Sequence, residues 1–424
     1  MPERAWHGGL VRFVHGGASQ RFFADSPMLE ITHLLKIATG QAGAGAWRSR
    51  APLRYEPVNA APPVVVWNVC RHCNLRCPHC YSSASTRPSQ YDLSTPEALR
   101  LLDDMAGVGV RVVIFSGGEP LLRSDVFDLM ARARDLGLEP MLSSNGVLLD
   151  GASVRKLANA GTRYVGVSLD GLADQNDVYR GLEGAFASAV QGLRHAMDAG
   201  LRVGIRLTLT RESEDQLEPL LAFADRLGVH RFYVSHLLPS GRGLGLADRD
   251  LAPAESRDLL EKLFTLAERL YETNSSLSLI TGGNDSDGPF FLQWLEARHG
   301  PETSSRARTA LLDRGGNSAG ERILAIDANG RVHPDQFWQS AELGSVRAQP
   351  MAEILTHPLR AQLRDRERHL RGRCAECVFK SICRGSHRER AQVRFGDMWA
   401  PDPACVMTDA EIGAVASQAV GGTA

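Results

Sequence analysis

From residue 64 onward, short apolar runs alternate with longer amphipathic stretches. Six runs are nearly continuous in branched and aromatic residues, as buried β-strands are: "VVVWNVC", "RVVIFSG", "EPMLSSN", "RYVGVSLDG", "RVGIRLTLT" and "RFYVSHLLP". Helix-like stretches between them stop at Gly137, Gly161, Gly200 and Gly228, which suit the left-handed position after a helix. Six βα units predict an α/β fold with a parallel sheet. They favour a complete or partial βα barrel over an open doubly wound sheet.

The flanks of this repeat differ in composition and predict further units. Residues 1–63 read as an N-terminal extension and an Ala/Gly/Pro-rich linker, with 1–27 either disordered or upstream of the true start. The barrel is expected over 64–283 and a connector over 284–319. From residue 320 the run "ERILAIDANGRVHPDQFW" predicts a hairpin that turns at Asn329-Gly330. An Arg-rich, Cys-bearing tail follows, so 320–424 are predicted to form a small second domain.

The charge balance and hydropathy of the chain limit its expected binding partners and its expected cellular location. The 424 residues include 48 Lys and Arg against 49 Asp and Glu, a formal net charge of −1. This balance gives no basis for binding nucleic acid or an acidic membrane. No apolar stretch approaches the roughly 20 residues that span a bilayer, so we expect a cytoplasmic location. Thiols stay reduced there, and closely spaced cysteines then indicate metal or cluster binding rather than disulfides.

Four of the eight cysteines lie in "WNVCRHCNLRCPHCYSS", directly after the first predicted strand. Cys73, Cys77 and Cys80 have Cys-x3-Cys-x2-Cys spacing on a loop of the kind that forms the active face of a βα barrel. Three thiolates can hold a 4Fe-4S cube and leave one iron open for substrate or cofactor. The alternative is a zinc site that adds Cys70, although the gap between the two pairs is shorter than in zinc ribbons. Otherwise Cys70 is a surplus, buried thiol.

The segment "CNLRCPHCY" resembles the signature of the radical S-adenosylmethionine (SAM) enzymes. The resemblance implies a partial (βα)6 TIM-like barrel in which Cys73, Cys77 and Cys80 hold a 4Fe-4S cluster whose fourth iron is chelated by SAM. It also implies a set of cofactor-binding residues on later strand ends: Gly117, Gly118, Glu119 and Pro120 in "SGGEP", Ser168 in "SLDG", and Arg180 in "NDVYRG". The resemblance assigns the "SGGEP" residues to the amino group of SAM. It assigns Ser168 and Arg180 to the ribose and the carboxylate of SAM. Taken singly, each motif also fits an ordinary turn or surface residue.

A second cysteine set lies in the tail: Cys374, Cys377, Cys383 and Cys405. Four thiolates suffice for an auxiliary 4Fe-4S cluster with every iron ligated, and a four-cysteine zinc site is the alternative. The set resembles the SPASM or twitch domains of radical SAM enzymes. Asp335 and His387 stand where the full SPASM pattern has further cysteines, so one auxiliary cluster is expected, with His387 as a weak alternative ligand.

Residues from about 28 to 415 resemble the radical SAM enzymes of heme d1 biosynthesis, apart from Asn176, where histidine is usual, and Cys70. This implies a tetrapyrrole substrate, 12,18-didecarboxysiroheme, that loses two propionate side chains, and a flavodoxin- or ferredoxin-type reductant. Unactivated C–H bonds lie beyond side-chain acids and bases, so a cofactor radical suits the reaction. The alternatives are an enzyme of the alternative heme pathway, a SPASM-type peptide maturase and a non-catalytic metal scaffold.

Two further features have both a functional and a structural interpretation. The run "RAQLRDRERHLRGRC" predicts a solvated helix face with internal ion pairs, or else counter-ions for substrate carboxylates. His236 and His333 are candidates for an axial ligand to substrate iron, or else hydrogen-bonded structural histidines.

Overall fold

The computed structural model describes residues 28–42 and 62–413, which form a single 11-stranded sheet. Its strands are β1 (Leu29–Glu30), β2 (Val64–Asn68), β3 (Val112–Ser116), β4 (Glu139–Ser144), β5 (Tyr164–Ser168), β6 (Arg202–Leu209), β7 (Arg231–His236), β8 (Ser278–Gly282), β9 (Ile323–Ile326), β10 (Arg331–His333) and β11 (Gly344–Ser345). The order across the sheet is β1-β8-β7-β6-β5-β4-β3-β2-β9-β10-β11. Strands β2 to β8 pair in parallel, and the two outermost strands do not meet.

Helices follow the parallel strands. They are α1 (Ile31–Ala38), α2 (Thr95–Gly107), α3 (Val126–Asp135), α4 (Gly151–Asn159), α5 (Ala173–Arg180), α6 (Ala185–Asp198), α7 (Leu217–Leu227), α8 (Pro253–Glu272), α9 (Asp287–His299), α10 (Pro301–Arg314), α11 (Met351–Ile354), α12 (Pro358–Arg364), α13 (Arg373–Glu376), α14 (Lys380–Cys383) and α15 (Arg388–Phe395). None of the helices in the described ranges is long and apolar enough to cross a bilayer.

The six predicted βα units are confirmed. Each predicted run contains one of the strands β2 to β7, and the four glycines predicted to end helices have φ between 75° and 82°. The partial α/β barrel expected from the repeat is therefore the observed architecture. Strand β8, which pairs with β7, was not predicted, and neither was the parallel pairing of β9 with β2. The proposed extension over 1–27 and most of the linker before residue 64 lie outside the described residues.

The predicted hairpin forms from β9 and β10, with Gly330 at φ 88° in the turn. Because β9 also pairs with β2, the hairpin continues the barrel sheet.

The main core lies between the sheet and its helices. Strand β2 is buried along its whole length, and Trp67 on it packs against Phe115 of β3 with ring centroids 5.6 Å apart. Helix α2 buries one face at the spacing of an amphipathic helix: Ala98, Leu101, Leu102 and Met105. Parallel strands packed in this way bring all their carboxyl ends to one edge of the sheet, where the motifs lie.

The Arg-rich run over 360–373 corrects one sequence-based expectation. Arg360 and Arg366 are fully buried, and both guanidinium groups donate to backbone carbonyl groups. The solvated-face interpretation is therefore wrong for these two residues. It holds for Arg368, whose side chain is 82% exposed and lies 3.3 Å from Asp365. The sequence of an Arg-rich run does not reveal which of its arginines will donate hydrogen bonds to buried backbone carbonyl groups.

We predict that Arg366→Leu lowers the free energy of unfolding by about 3 kcal/mol. Its Nε donates to Leu363 O at 2.7 Å, and its terminal nitrogens donate to Asn317 Oδ1 and Ala319 O at 2.6 Å. The variant removes all three of these hydrogen bonds from buried acceptors. Urea unfolding followed by circular dichroism measures the loss. Arg368→Leu is the exposed control, with an expected change within about 0.5 kcal/mol. Equal losses in both variants would contradict the assignment.

Candidate active site

The carboxyl ends of the parallel strands surround a cavity of about 310 Å³. Seven of the predicted site residues line it: Cys73, Cys77, Cys80, Gly117, Gly118, Ser168 and Arg180. Glu119 and Pro120 are buried beside it and are not among its lining residues. Motifs spread over more than 100 positions of sequence thus meet at one place.

The cysteine loop after β2 is held by residues far away in sequence. Arg242 donates from Nε to Cys77 O at 2.9 Å and from its backbone amide to Cys80 O at 3.0 Å. Gly241, at φ 55°, brings the same segment so close that a Cβ would lie 2.2 Å from Tyr81 O. Sequence analysis missed this brace. The segment "SGRG" that follows the last predicted strand run gives no indication of this contact.

The three thiols form a partly buried cluster with Leu75 and Ala84. Burial raises the pKa of Cys73 to about 11 and also raises the pKa of Cys77, where the Arg180 guanidinium partly offsets it. The Cys73 and Cys77 thiols are therefore protonated at neutral pH, and iron binding has to displace their protons. Among the described residues, no three His, Cys, Asp or Glu side chains converge where a single metal ion would be held. A cube needs its thiolates spread around a larger body.

The glycine turn after β3 makes direct backbone contact with the cysteine loop. Gly118 N donates to Cys70 O, and Glu119 N donates to His72 O, both at 2.8 Å. A Cβ at Gly118 would lie 2.2 Å from His72 O, and one at Gly117 would lie 2.6 Å from Cys70 O. Only glycine permits this approach. Cys70 itself is buried in the main core, as expected of a surplus thiol, and donates weakly to Glu119 O.

Glu119 occupies a fully buried position that joins two strand ends. Its carboxylate accepts from Asn145 N at 2.8 Å, Leu121 N at 3.1 Å and Ser144 Oγ at 3.0 Å. Burial raises the pKa of Glu119 to about 6, although these hydrogen bonds oppose the shift. Within the described residues this carboxylate thus fixes the turn after β4 against the turn after β3. Its role toward the cofactor's amino group stays a prediction.

Ser168 and Arg180 lie on the cavity wall beside a buried carboxylate. Arg180 Nη2 donates to Asp170 Oδ2 at 2.5 Å, and Arg180 Nη1 lies 3.9 Å from Cys77 Sγ. Burial alone would lower the pKa of Arg180, but the Asp170 carboxylate raises it. Asn176, which stands where related sequences usually have histidine, accepts through Oδ1 from Asp170 N at 3.0 Å. This hydrogen bond fixes the loop after β5. Asp170 was not predicted, although it stands in the quoted "SLDG".

Strand residues missed by sequence analysis supply the opposite part of the cavity. Arg206, Arg231, Tyr164 and Tyr233 line it together with apolar residues of β2, β3 and β4. Arg206 Nη2 donates to Gly166 O at 2.6 Å, and its Nε has no partner among the described residues. Burial lowers the pKa of Arg206. An arginine inside the otherwise apolar run "VGIRLTL" was the available signal.

The two candidate histidines lie in different surroundings. His236 lines the cavity, and its Nε2 lies 3.1 Å from Asp287 Oδ2. His333 is buried and is not among the cavity-lining residues; its Nδ1 lies 2.9 Å from Ala341 O. Neither Arg360 nor Arg366 lines the cavity. The counter-ion interpretation of the Arg-rich run therefore has no support at this site.

The second cysteine set meets at another small cavity, which is lined by all four of its members: Cys374, Cys377, Cys383 and Cys405. Burial raises the pKa of each thiol, to about 11 for Cys405. Arg390 binds both carboxylate oxygens of Asp402 at 2.8 Å, and it also donates to Gly283 O at 2.6 Å. This buried pair ties the loop that carries Cys405 to the end of β8.

The two positions that depart from the full SPASM pattern face each other. His387 Nδ1 lies 3.6 Å from Asp335 Oδ2, and both residues are buried. Asp335 also accepts from Phe337 N at 2.8 Å and Trp338 N at 2.9 Å. Burial lowers the pKa of His387. Where further cysteines would stand, this chain has a histidine facing a carboxylate, and His387 is not among the residues lining the second cysteine cavity.

Comparison with known proteins agrees with this geometry. A model of the radical SAM superfamily matches residues 67–224, and a model of an iron-sulfur cluster-binding domain matches 318–378. Pre-heme d1 synthase of Dinoroseobacter shibae is 40% identical over 83% of this chain and 88% of its own length. Fe-coproporphyrin III synthase of Methanosarcina barkeri is 38% identical over 83% of this chain and 89% of its own length.

Among solved structures, SuiB of Streptococcus suis bound to S-adenosylmethionine has a TM-score of 0.63 over 82% of this chain and 78% of that chain, at 18% identity, which shows a shared fold. Fold, cavity and family matches define a radical SAM enzyme with a C-terminal cluster-binding domain. The cofactors of this class are SAM, a 4Fe-4S cluster and auxiliary iron–sulfur clusters. The class assignment therefore disfavours both alternatives, a zinc site and a non-catalytic scaffold. Within this class the chain belongs to the family of radical SAM heme synthases.

We predict that Gly118→Ala prevents assembly of the first cluster, because the added Cβ meets the His72 carbonyl at 2.2 Å. Iron and acid-labile sulfide, quantified after anaerobic reconstitution, should fall to the content expected of the C-terminal cluster alone. Gly245→Ala is the matched control, since no atom lies within 4 Å of its Cβ position. Full iron content in the Gly118 variant would refute the close-approach requirement.

A second prediction concerns pH. Burial raises the pKa of Glu389 to about 7, with the Asp335 carboxylate adding to the shift, whereas an unfolded glutamate titrates near 4.5. Between these values the folded state binds the extra proton. The contribution of Glu389 to the free energy of unfolding is therefore fully present below about pH 4.5 and is lost as the pH rises through 7.

Glu389→Gln keeps an acceptor for Ser340 Oγ, which donates to Glu389 Oε2 at 2.7 Å, and removes this titration. Relative to wild type, the variant should gain on the order of 2 kcal/mol between about pH 5 and pH 8. Thermal unfolding across this range measures the gain. The exposed control Glu353→Gln should leave the profile unchanged. If the stability of wild type and Glu389→Gln changed in parallel with pH, the raised pKa of Glu389 would be disproved.

Proposed function

We propose that this enzyme removes propionate side chains from 12,18-didecarboxysiroheme in heme d1 biosynthesis. The 40% identity to pre-heme d1 synthase over most of both chains supports this substrate. The observation that carries the proposal is the cavity itself, which combines the three cysteines with apolar strand residues and buried arginines. A tetrapyrrole has a broad apolar ring and several carboxylates, so it matches both kinds of wall.

Arg206 is the residue best suited to a substrate carboxylate. Within the described residues no carboxylate forms a salt bridge with it, and Glu119 acts on it only at longer range. A partly buried guanidinium without a salt-bridge partner is costly, and a propionate would supply that partner. The free Nε gives it a further donor for this purpose.

The proposed ligands of the first cluster are Cys73, Cys77 and Cys80, with 64–283 as the barrel that holds SAM. When bound, the cluster and SAM supply a radical able to take hydrogen from an unactivated propionate carbon. Arg242 and Gly241 hold the cysteine loop in place. The glycine turn gives backbone contact, and Ser168 and Arg180 lie on the wall where the ribose and carboxylate of SAM are expected.

The proposed C-terminal domain, 320–424, holds an auxiliary 4Fe-4S cluster on Cys374, Cys377, Cys383 and Cys405. A flavodoxin- or ferredoxin-type protein is the proposed reductant. The 38% identity to Fe-coproporphyrin III synthase favours a second candidate, an enzyme that acts on a related tetrapyrrole of the alternative heme pathway.

The test is anaerobic incubation of reconstituted protein with SAM, reductant and each candidate substrate. We expect 5′-deoxyadenosine and loss of two propionates with 12,18-didecarboxysiroheme, measured by mass spectrometry. Cys77→Ala should abolish SAM cleavage and keep the C-terminal cluster, whereas Cys70→Ala should retain turnover because Cys70 lies outside the cavity lining. Turnover of another tetrapyrrole alone, or of a cysteine-bearing peptide alone, would reject the proposed substrate.

A further inference from the structure

A buried histidine–carboxylate pair lies at the edge of the cavity. His236 ends β7, is 7% exposed and forms part of the cavity wall. Its Nε2 lies 3.1 Å from Oδ2 of Asp287, the fully buried first residue of α9. Nδ1 has no hydrogen-bond partner among the residues that the structure describes. One ring nitrogen is therefore held, and the other stays available.

The backbone around this pair is equally constrained. Ser235 Oγ donates to His236 O at 3.1 Å. Gly283, at φ 80°, packs against His236 so closely that a Cβ would lie 3.0 Å from its carbonyl oxygen. Arg390 donates to Gly283 O and so connects this corner to the C-terminal region. The imidazole is thus positioned from both its ring and its main chain.

Such an arrangement is the one that proteins use to prepare a histidine as a metal ligand. A carboxylate that accepts from one ring N–H fixes the tautomer, orients the ring and makes the opposite nitrogen more basic. Here the carboxylate places the proton on Nε2, which leaves the Nδ1 lone pair free. His333 is excluded by its position: its Nδ1 faces Ala341 O, its Nε2 lies 3.8 Å from Asp327 Oδ2, and it does not line the cavity.

We propose that His236 Nδ1 is an axial ligand to the iron of the tetrapyrrole substrate, with Asp287 as its positioning residue. This inference rests on the proposed function, which supplies an iron tetrapyrrole to the cavity. An axial bond fixes the macrocycle by its centre, whereas a pairing of Arg206 with a propionate fixes it by its edge. Together the two contacts determine which side chain points toward the three cysteines.

The test uses full-length, cluster-reconstituted protein with ferric 12,18-didecarboxysiroheme as the probe, under anaerobic conditions. Oxidised 4Fe-4S clusters are EPR-silent, so the ferric macrocycle is observed directly. Wild type should show an imidazole-ligated signal, with hyperfine coupling to ¹⁵N after histidine labelling. His236→Ala should lose that signal and bind at least about 10-fold more weakly. Added imidazole should restore the signal in the variant.

Two further variants separate ligation from folding. Asp287→Asn keeps the histidine and should shift the EPR g-values while retaining nitrogen coupling. His333→Ala, which alters a buried histidine outside the cavity, should leave the signal unchanged. An unchanged signal in His236→Ala, with propionate removal still observed in wild type, would overturn the inference and leave the proposed function standing. Failure of wild type to bind the probe or to remove its propionates would overturn both.

Discussion

Backbone-to-backbone contact between the cysteine loop and the glycine turn after β3 is the constraint on which the site depends. Two hydrogen bonds of 2.8 Å join Gly118 N to Cys70 O and Glu119 N to His72 O. Main-chain atoms cannot move aside as a rotamer can, so any Cβ at Gly118 must displace the loop itself. The position of the cysteine loop, and with it the position of the thiols, therefore depends on this fit.

Buried polar groups around the site act mainly as braces. Glu119 joins the turns after β3 and β4, and Arg242 fixes the carbonyl groups of the cysteine loop. Arg390 does the same for the C-terminal region through Asp402 and the end of β8. Each charge is offset by several hydrogen bonds, because an unpaired buried charge would cost several kcal/mol. The braces therefore hold in place the segments that carry the two thiol sets, which are the proposed cluster ligands.

The cavity has two chemically different parts. Apolar strand residues of β2, β3 and β4 form one part, whereas Arg206 and His236 contribute a guanidinium group and an imidazole ring to the other. Gly166 makes room for Arg206, since a Cβ there would lie 3.0 Å from the guanidinium. This combination suits a large apolar ring with acidic side chains better than it suits an uncharged small molecule. It also explains why a charged residue stands within a strand that is otherwise apolar.

Local signals in the sequence determined much of this protein. Strand runs, helix-ending glycines and the spacing of both cysteine sets depend on neighbours a few positions away, so they could be read without coordinates. The pairing of β9 with β2, the burial of Arg366, the brace from Arg242 and the difference between His236 and His333 were decided only by the tertiary structure. Each of these features depends on contacts between residues that are far apart in the sequence. The direction of a side chain and the group that satisfies it depend on packing between distant segments, which no local pattern encodes.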